Sequence, residues 1–205
     1  MADYRKPDYW TLKARKEGYP ARSVYKLMEI EKKFNLFKTP MLSPRVLDLG
    51  ASPGSWSLYL LRKFSGKGFF AAVDLSPLSR EFDKGLFDAE NFFFIQGDIT
   101  GTQVRDTLLA KGPYSVIISD AAPNTTGNHI VDSALSLELA EAVIAWAGNA
   151  LSPNGNMALK VFQSGDSTAL LKRMAVLFKT AKSFKPDSCR GESIEMYYVG
   201  LGKLV

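Results

Sequence analysis

Asp48, Asp74, Asp98 and Asp120 each stand at or near the end of a short apolar run, and Lys160 interrupts another. Carboxylates gathered in one place attract cations and hydroxyl groups and repel phosphate. A lysine within the apolar stretch Met157–Phe162 is costly unless it lies at a strand end or has a partner. The segment DLGASPG (48–54) follows the first apolar run and opens a helical stretch. Gly50 permits a tight turn there, and Gly54 lets backbone approach closely where the helix begins. Asp74 comes 20 residues after Gly54, the spacing from which an acid reaches ribose hydroxyls. Ser52 and Pro53 occupy the position where a pyrophosphate needs glycine, and no Lys-Ser/Thr pair follows, so a dinucleotide or P-loop site is disfavoured. A nucleoside that carries positive charge and no phosphate fits these residues. S-adenosylmethionine, with its sulfonium, is such a ligand.

The elements that must position these side chains are readable from hydrophobic spacing. Short apolar runs at 45–50, 69–74, 92–98, 114–120 and 156–162 alternate with helical stretches at 55–64, 103–110, 132–151 and 167–178. Strands alternating with helices predict parallel βαβ units, with helices on both faces of one sheet. The last two runs, 182–185 and 195–202, have no helix between them and are expected to pair antiparallel at one edge. A further helix is predicted from Ser23 to Phe34, where Val24, Leu27, Met28, Ile30 and Phe34 recur at helical spacing. The first 20 residues read as an irregular basic arm. In open sheets of this kind ligands bind at the carboxyl ends of the strands. That rule selects Asp48, Gly50, Asp74, Asp98, Asp120 and Lys160–Gln163 as one neighbourhood.

Composition narrows the function classes. The chain has 205 residues, long enough for one domain with a substantial core, and 46% hydrophobic with 23% charged residues is ordinary for a folded protein. One cysteine, Cys189, can form neither an internal disulfide nor a cysteine-based zinc site, and no metal is expected. No secretory or transit signal is evident, and the longest apolar run, Ala142–Ala147, is far too short for a membrane span. A soluble cytoplasmic monomer is expected. The net charge of +5 is unevenly placed: residues 1–40 and 172–190 are each +5, and residues 41–171 are −4. Two basic blocks around an acidic middle fit either a polyanionic partner or solvated faces.

Taken in order, DLGASPGSW, VDLSP, IQGDI, SDAAPN, LKVFQ and KPDSCRGESIEMYYVG resemble the FtsJ/RrmJ family of ribose 2′-O-methyltransferases acting on RNA. The likeness runs from about Arg22 to Gly202. It implies a Rossmann-like methyltransferase fold that uses S-adenosylmethionine: a mostly parallel seven-stranded sheet with an antiparallel edge strand, helices on both faces. It implies a basic arm over 1–21 and a methyltransferase domain over 22–205. Cofactor contacts are implied from Gly54, Trp56, Asp74, Asp98 and Asp120, beside the turn at Gly50. Ser55 departs from the second glycine usual at that position, but serine is small and caps helices well.

The family's catalytic Lys-Asp-Lys-Glu set maps onto Lys26, Asp120, Lys160 and Glu195, with Glu192 the competing acid. Methyl transfer is an in-line displacement at a carbon that the sulfonium already activates, so the enzyme must align the nucleophile and remove its proton. Lysine serves as a base only when its pKa falls from about 10.4, and a neighbouring cation favours the neutral amine. Lys26 can act in this way on Lys160. Asp120 opposes that shift and orients Lys160; Glu195 holds Lys26 or a ribose hydroxyl. By position alone Lys26 is a solvated lysine at the border of an amphipathic helix, and Glu195 carries no signal of its own. His129 reads as a residue of a substrate loop, or simply an exposed one.

The arm mixes Tyr4, Tyr9, Trp10 and Tyr19 with Arg5, Lys6, Lys13, Arg15, Lys16 and Arg22, a combination that binds phosphates and stacks unpaired bases. Lys182, Lys185 and Arg190 lead toward Glu195. The expected substrate is a uridine of large-subunit ribosomal RNA. The rival readings are a tRNA anticodon-loop methyltransferase and a catalytically silent RNA-binding factor of ribosome assembly.

Overall fold

Strands buried on both sides read as continuous apolar runs, and here those runs form one sheet. A computed structural model describes residues 7–124, 126–164, 167–191 and 193–205, apart from the side chain of His129. The strands are β1 (Arg45–Leu49), β2 (Phe69–Asp74), β3 (Phe92–Gln96), β4 (Tyr114–Ser119), β5 (Leu151–Phe162), β6 (Phe178–Phe184) and β7 (Glu195–Lys203). The helices are α1 (Tyr9–Lys16), α2 (Val24–Phe34), α3 (Ser55–Phe64), α4 (Thr102–Ala110), α5 (His129–Ala150) and α6 (Ser167–Leu177). Strand order is β3-β2-β1-β4-β5-β7-β6. The order reverses between β1 and β4, and a crevice opens at such a switch point.

Alternate residues of each strand feed two cores. Val46, Phe70, Val116, Ile118 and Ala158 pack with α2 and α3 on one face. Leu47, Leu49, Ile117, Met157 and Leu159 pack with α4, α5 and α6 on the other. The expected antiparallel pairing of the last two strands is present. Its antiparallel member, β7, lies one place in from the edge, between β5 and β6.

Two local expectations are corrected. The first 20 residues are not irregular throughout, because Tyr9–Lys16 is helical. The Asp8 carboxylate caps it by accepting from the backbone N–H of Thr11 at 2.9 Å, and Lys13, Arg15 and Lys16 complement its carboxyl end. Ala14 and Tyr19 are buried in the α2/α3 core, and Trp10 packs on Tyr25 with ring centres 5.0 Å apart. The second correction is β5, which begins at Leu151 rather than 156. Pro153, Asn154 and Gly155 look like a strand breaker, but a register irregularity against β4 absorbs them.

Candidate active site

Lys26 reaches the strand ends because α2 is tied down at its start. The Trp56 indole N–H donates to the Ser23 carbonyl at 2.8 Å, and the backbone N–H of Ala21 donates to the Ser55 hydroxyl at 2.8 Å. Val24, Leu27 and Ile30 enter the core, and Lys26 is 8% exposed. Its amine forms an ion pair and hydrogen bond with Glu195, the first residue of β7, and stands 5.9 Å from the centre of the Tyr197 ring.

Lys160 on β5 and Tyr197 on β7 are direct cross-strand partners, so their side chains share a face. Asp120 follows the last residue of β4. The Lys160 amine lies 3.2 Å from Asp120 Oδ1 and donates to the Asp120 carbonyl at 2.6 Å. The Tyr197 hydroxyl donates to the same Oδ1 at 2.6 Å. The four proposed catalytic residues thus form two ion pairs, Lys26–Glu195 and Lys160–Asp120, bridged through Tyr197.

Burial is the largest influence on Asp120 and opposes its charge, yet Lys160, Lys26 and the Tyr197 hydroxyl together hold its pKa below the ordinary carboxylate value. Burial likewise works against the charge on Lys26, and Asp120 and Glu195 outweigh it, raising its pKa. Lys26 is therefore a fixed cation. The Tyr197 phenol, fully buried and bonded to a carboxylate, is raised well above its usual value, first by burial and then by Asp120.

Beside these pairs, over the switch point, lies a cleft of about 770 Å³. Gly50, Asp74, Asp98, Asp120 and Lys160 line it, with the α5 residues Leu135, Glu138, Leu139 and Ala142 forming one wall. Asp74 is held in place by the backbone N–H groups of Ser52 at 2.9 Å and Ser76 at 2.8 Å. Asp98 accepts from the Thr100 N–H and hydroxyl, each at 2.8 Å, which lowers its pKa. Gly50 has φ +78°, and a Cβ there would lie 2.5 Å from the Cβ of Ala121, so the two loops at the switch point touch through a missing side chain.

Some expected site residues lie elsewhere. Gly54 and Trp56 do not line the cleft. Gly54, with φ +104°, is packed on Phe87, and the Trp56 side chain is 2% exposed and turned into the core. The Gly54 N–H already donates to the Ala51 carbonyl at 2.7 Å; at Trp56 the backbone N–H belongs to the first turn of α3, where N–H groups have no intrahelical acceptor. Asp48 also leaves the strand-end group. It is sealed beneath α3, where the Ser57 hydroxyl donates to Oδ2 at 2.7 Å. Glu192 lies outside the described residues, as does the side chain of His129, whose backbone opens α5. Sequence reasoning missed Tyr197, although its place two residues after Glu195 puts both on one strand face.

The two basic blocks converge. Arg22 forms an ion pair with Asp8 and donates to the Ser188 carbonyl, and Arg190 Nε is 3.7 Å from the same Asp8. Lys13 lies over the rings of Trp10 and Tyr25, at 5.2 and 4.8 Å from their centres. Among the described residues no helix is long and apolar enough to cross a membrane, and no group of three His, Cys, Asp or Glu is arranged to hold a metal ion.

The FtsJ-like methyltransferase family model matches residues 19–203. The chain belongs to the FtsJ-like methyltransferase family. A relative from Treponema denticola named ribosomal RNA large subunit methyltransferase E is 46% identical over 198 residues, covering 97% of this chain and 96% of its own. A relative of the same name from Nitratidesulfovibrio vulgaris is 43% identical over 204 residues, covering 98% and 96%. Among solved structures, a ribosomal RNA methyltransferase of Plasmodium falciparum superposes with a TM-score of 0.75 at 24% identity, covering 91% of this chain and 99% of that one. In this FtsJ-like methyltransferase the sheet presents its switch point to the cleft.

Proposed function

We propose that this chain is an S-adenosylmethionine-dependent RNA ribose 2′-O-methyltransferase whose target is a uridine of large-subunit ribosomal RNA. The observation that carries the reading is the pair of lysine–carboxylate bridges, Lys160–Asp120 and Lys26–Glu195, beside a cleft lined by acids. Relatives named for large-subunit ribosomal RNA, matched over nearly the full length of both chains, support the substrate. The spatial union of the two basic blocks around Asp8 supports a polyanionic partner.

The residues present fit the cofactor. Asp74, pre-oriented by two backbone N–H groups, suits ribose hydroxyls; Asp98 suits an amino group; Asp120 places negative charge near a sulfonium. Gly50, Ser52 and Pro53 line the cleft and let a ligand approach the loop that precedes α3. When bound, S-adenosylmethionine supplies a methyl group on a positively charged sulfur.

The protein's own part is alignment and proton management. Lys26, held as a cation by Glu195 and Asp120, is not the base. Lys160, oriented by both oxygens of Asp120 that face it, is the group within reach of a hydroxyl delivered to the strand ends. It aligns the 2′-hydroxyl by donating to its oxygen; the hydroxyl's proton leaves to solvent as the methyl is transferred, or passes to the Lys160 amine once that amine has given up a proton of its own. Tyr197 and Lys26 keep Asp120 ionised and fixed throughout.

The test is transfer of labelled methyl groups onto separated ribosomal subunits, free ribosomal RNA and tRNA, followed by mapping of the modified nucleotide. Label on a ribose 2′-oxygen of a large-subunit uridine supports the reading. Label on tRNA, or on a base, overturns it.

A further inference from the structure

Lys26 and Glu29 are one helical turn apart on α2, and residues three apart share a helix face. Both grip the connection between β6 and β7. Lys26 takes Glu195 at its far end. The Glu29 carboxylate takes its near end, accepting from the backbone N–H of Asp187 at 2.6 Å through Oε2 and of Ser188 at 3.0 Å through Oε1. The carbonyl of Ser188 accepts from Arg22. One peptide segment, exposed at Asp187 and buried at Ser188, is therefore held on its N–H side by Glu29 and on its carbonyl side by Arg22.

We propose that Glu29 is a positioning residue for methyl transfer: with Arg22 it clasps the loop at Asp187–Ser188 against α2 and so sets where Glu195 meets Lys26. The role in turnover rests on the proposed function above; the clasp itself does not. The rest of the loop transmits the placement in short steps. The Cys189 N–H bonds the Pro186 carbonyl at 3.1 Å and the Ser193 N–H bonds the Arg190 carbonyl at 3.0 Å. The Ser193 hydroxyl accepts from the Glu195 N–H at 3.1 Å, and the Ile194 carbonyl accepts from Gln163 at 2.8 Å. A carboxylate accepting two backbone N–H groups makes charge-assisted bonds, stronger than neutral ones.

The chain carries its own reporter. Cys189 is its single cysteine, sits beside Ser188, and is buried against the α2/α3 core. Burial raises its thiol pKa, so the docked thiol reacts slowly. Releasing the clasp exposes it.

The experiment uses the full chain with Glu29→Ala, Glu29→Gln and, as control, Glu31→Gln. The Glu31 carboxylate accepts from the Phe37 N–H and pairs with Lys63, away from the loop. The rate of Cys189 modification by a thiol reagent is measured well below the melting temperature, with the single-turnover methyl-transfer rate and the S-adenosylmethionine affinity. Two charge-assisted bonds are lost in Glu29→Ala, so thiol labelling is expected to accelerate by about tenfold or more. Transfer slows by a similar factor, and cofactor affinity stays within about twofold. Glu29→Gln keeps one acceptor oxygen and falls between; Glu31→Gln leaves all three readings unchanged.

Adding Glu29→Ala to Glu195→Gln costs little further rate, because the two act through one contact. Unchanged thiol labelling in Glu29→Ala overturns the clasp. Accelerated labelling with unchanged transfer, or fully additive losses with Glu195→Gln, overturns the positioning role. If the wild type transfers no methyl to any RNA, the proposed function fails while the labelling rates still decide the clasp.

Discussion

Asp48 makes the fold's stability depend on pH in a direction opposite to that of most carboxylates. It is 1% exposed, one oxygen is bonded to the Ser57 hydroxyl, and Oδ1 has no hydrogen-bond partner among the described residues. Burial, opposed by Ser57 and reinforced by Asp120 and Asp74, pushes its pKa up from 3.8 to about 7. The folded state therefore keeps a proton that the unfolded chain releases. The stabilisation is fully present below pH 3.8 and is lost as pH rises through about 7. At 1.36 kcal/mol per pH unit, the whole window is worth about 4 kcal/mol, of which about 3 falls between pH 5 and 8. Asp48→Asn keeps the shape and cannot ionise. Urea unfolding of both proteins at pH 5 and pH 8 isolates the effect, since any pH-independent cost of the amide cancels in the comparison. The variant should gain about 3 kcal/mol relative to the wild type between the two pH values. A difference that stays constant with pH would refute the argument that Asp48 is sealed beneath α3.

Three further outcomes are expected. Tyr197→Phe removes a donor to Asp120 and leaves the ring in place, so methyl transfer should slow about tenfold with cofactor affinity unchanged; measured rate and binding isotherms decide. Gly50→Ala combines a left-handed φ with a Cβ 2.5 Å from Ala121, and should destabilise the fold by about 2 kcal/mol or more and weaken cofactor binding, as thermal unfolding and calorimetry will report. The exposed Arg15 and Lys16, changed together to Glu, should weaken RNA binding and flatten its salt dependence without altering cofactor affinity; an unchanged salt slope removes α1 from the RNA surface.

The parallel strands were legible because burial on both faces leaves continuous runs, and β2 and α3 lie where periodicity puts them. The strand-end rule likewise brought Asp74, Asp98, Asp120 and Lys160 to one cleft. It failed for Asp48, because alternation turns that residue toward α3 one position before the strand ends. Helix α1 was hidden by its composition: eight residues bury one alanine fully, and Asp8 and Tyr19, which anchor it, lie outside the helix. Trp56 was implied as a cofactor contact by resemblance; its indole bonds Ser23 and serves α2, which no local pattern announces. Glu29 and Tyr197 act through contacts with residues 77 or more positions away, and no local pattern signals such contacts.

The most direct test of the account is the single-turnover rate of Lys160→Ala on large-subunit particles, measured with the cofactor dissociation constant. Lys160 lines the cleft but makes its described bonds to Asp120. The expected result is a rate loss of about 10²–10⁴ with cofactor affinity within about twofold. A rate within about tenfold of wild type would contradict it, as would a loss explained by cofactor binding alone.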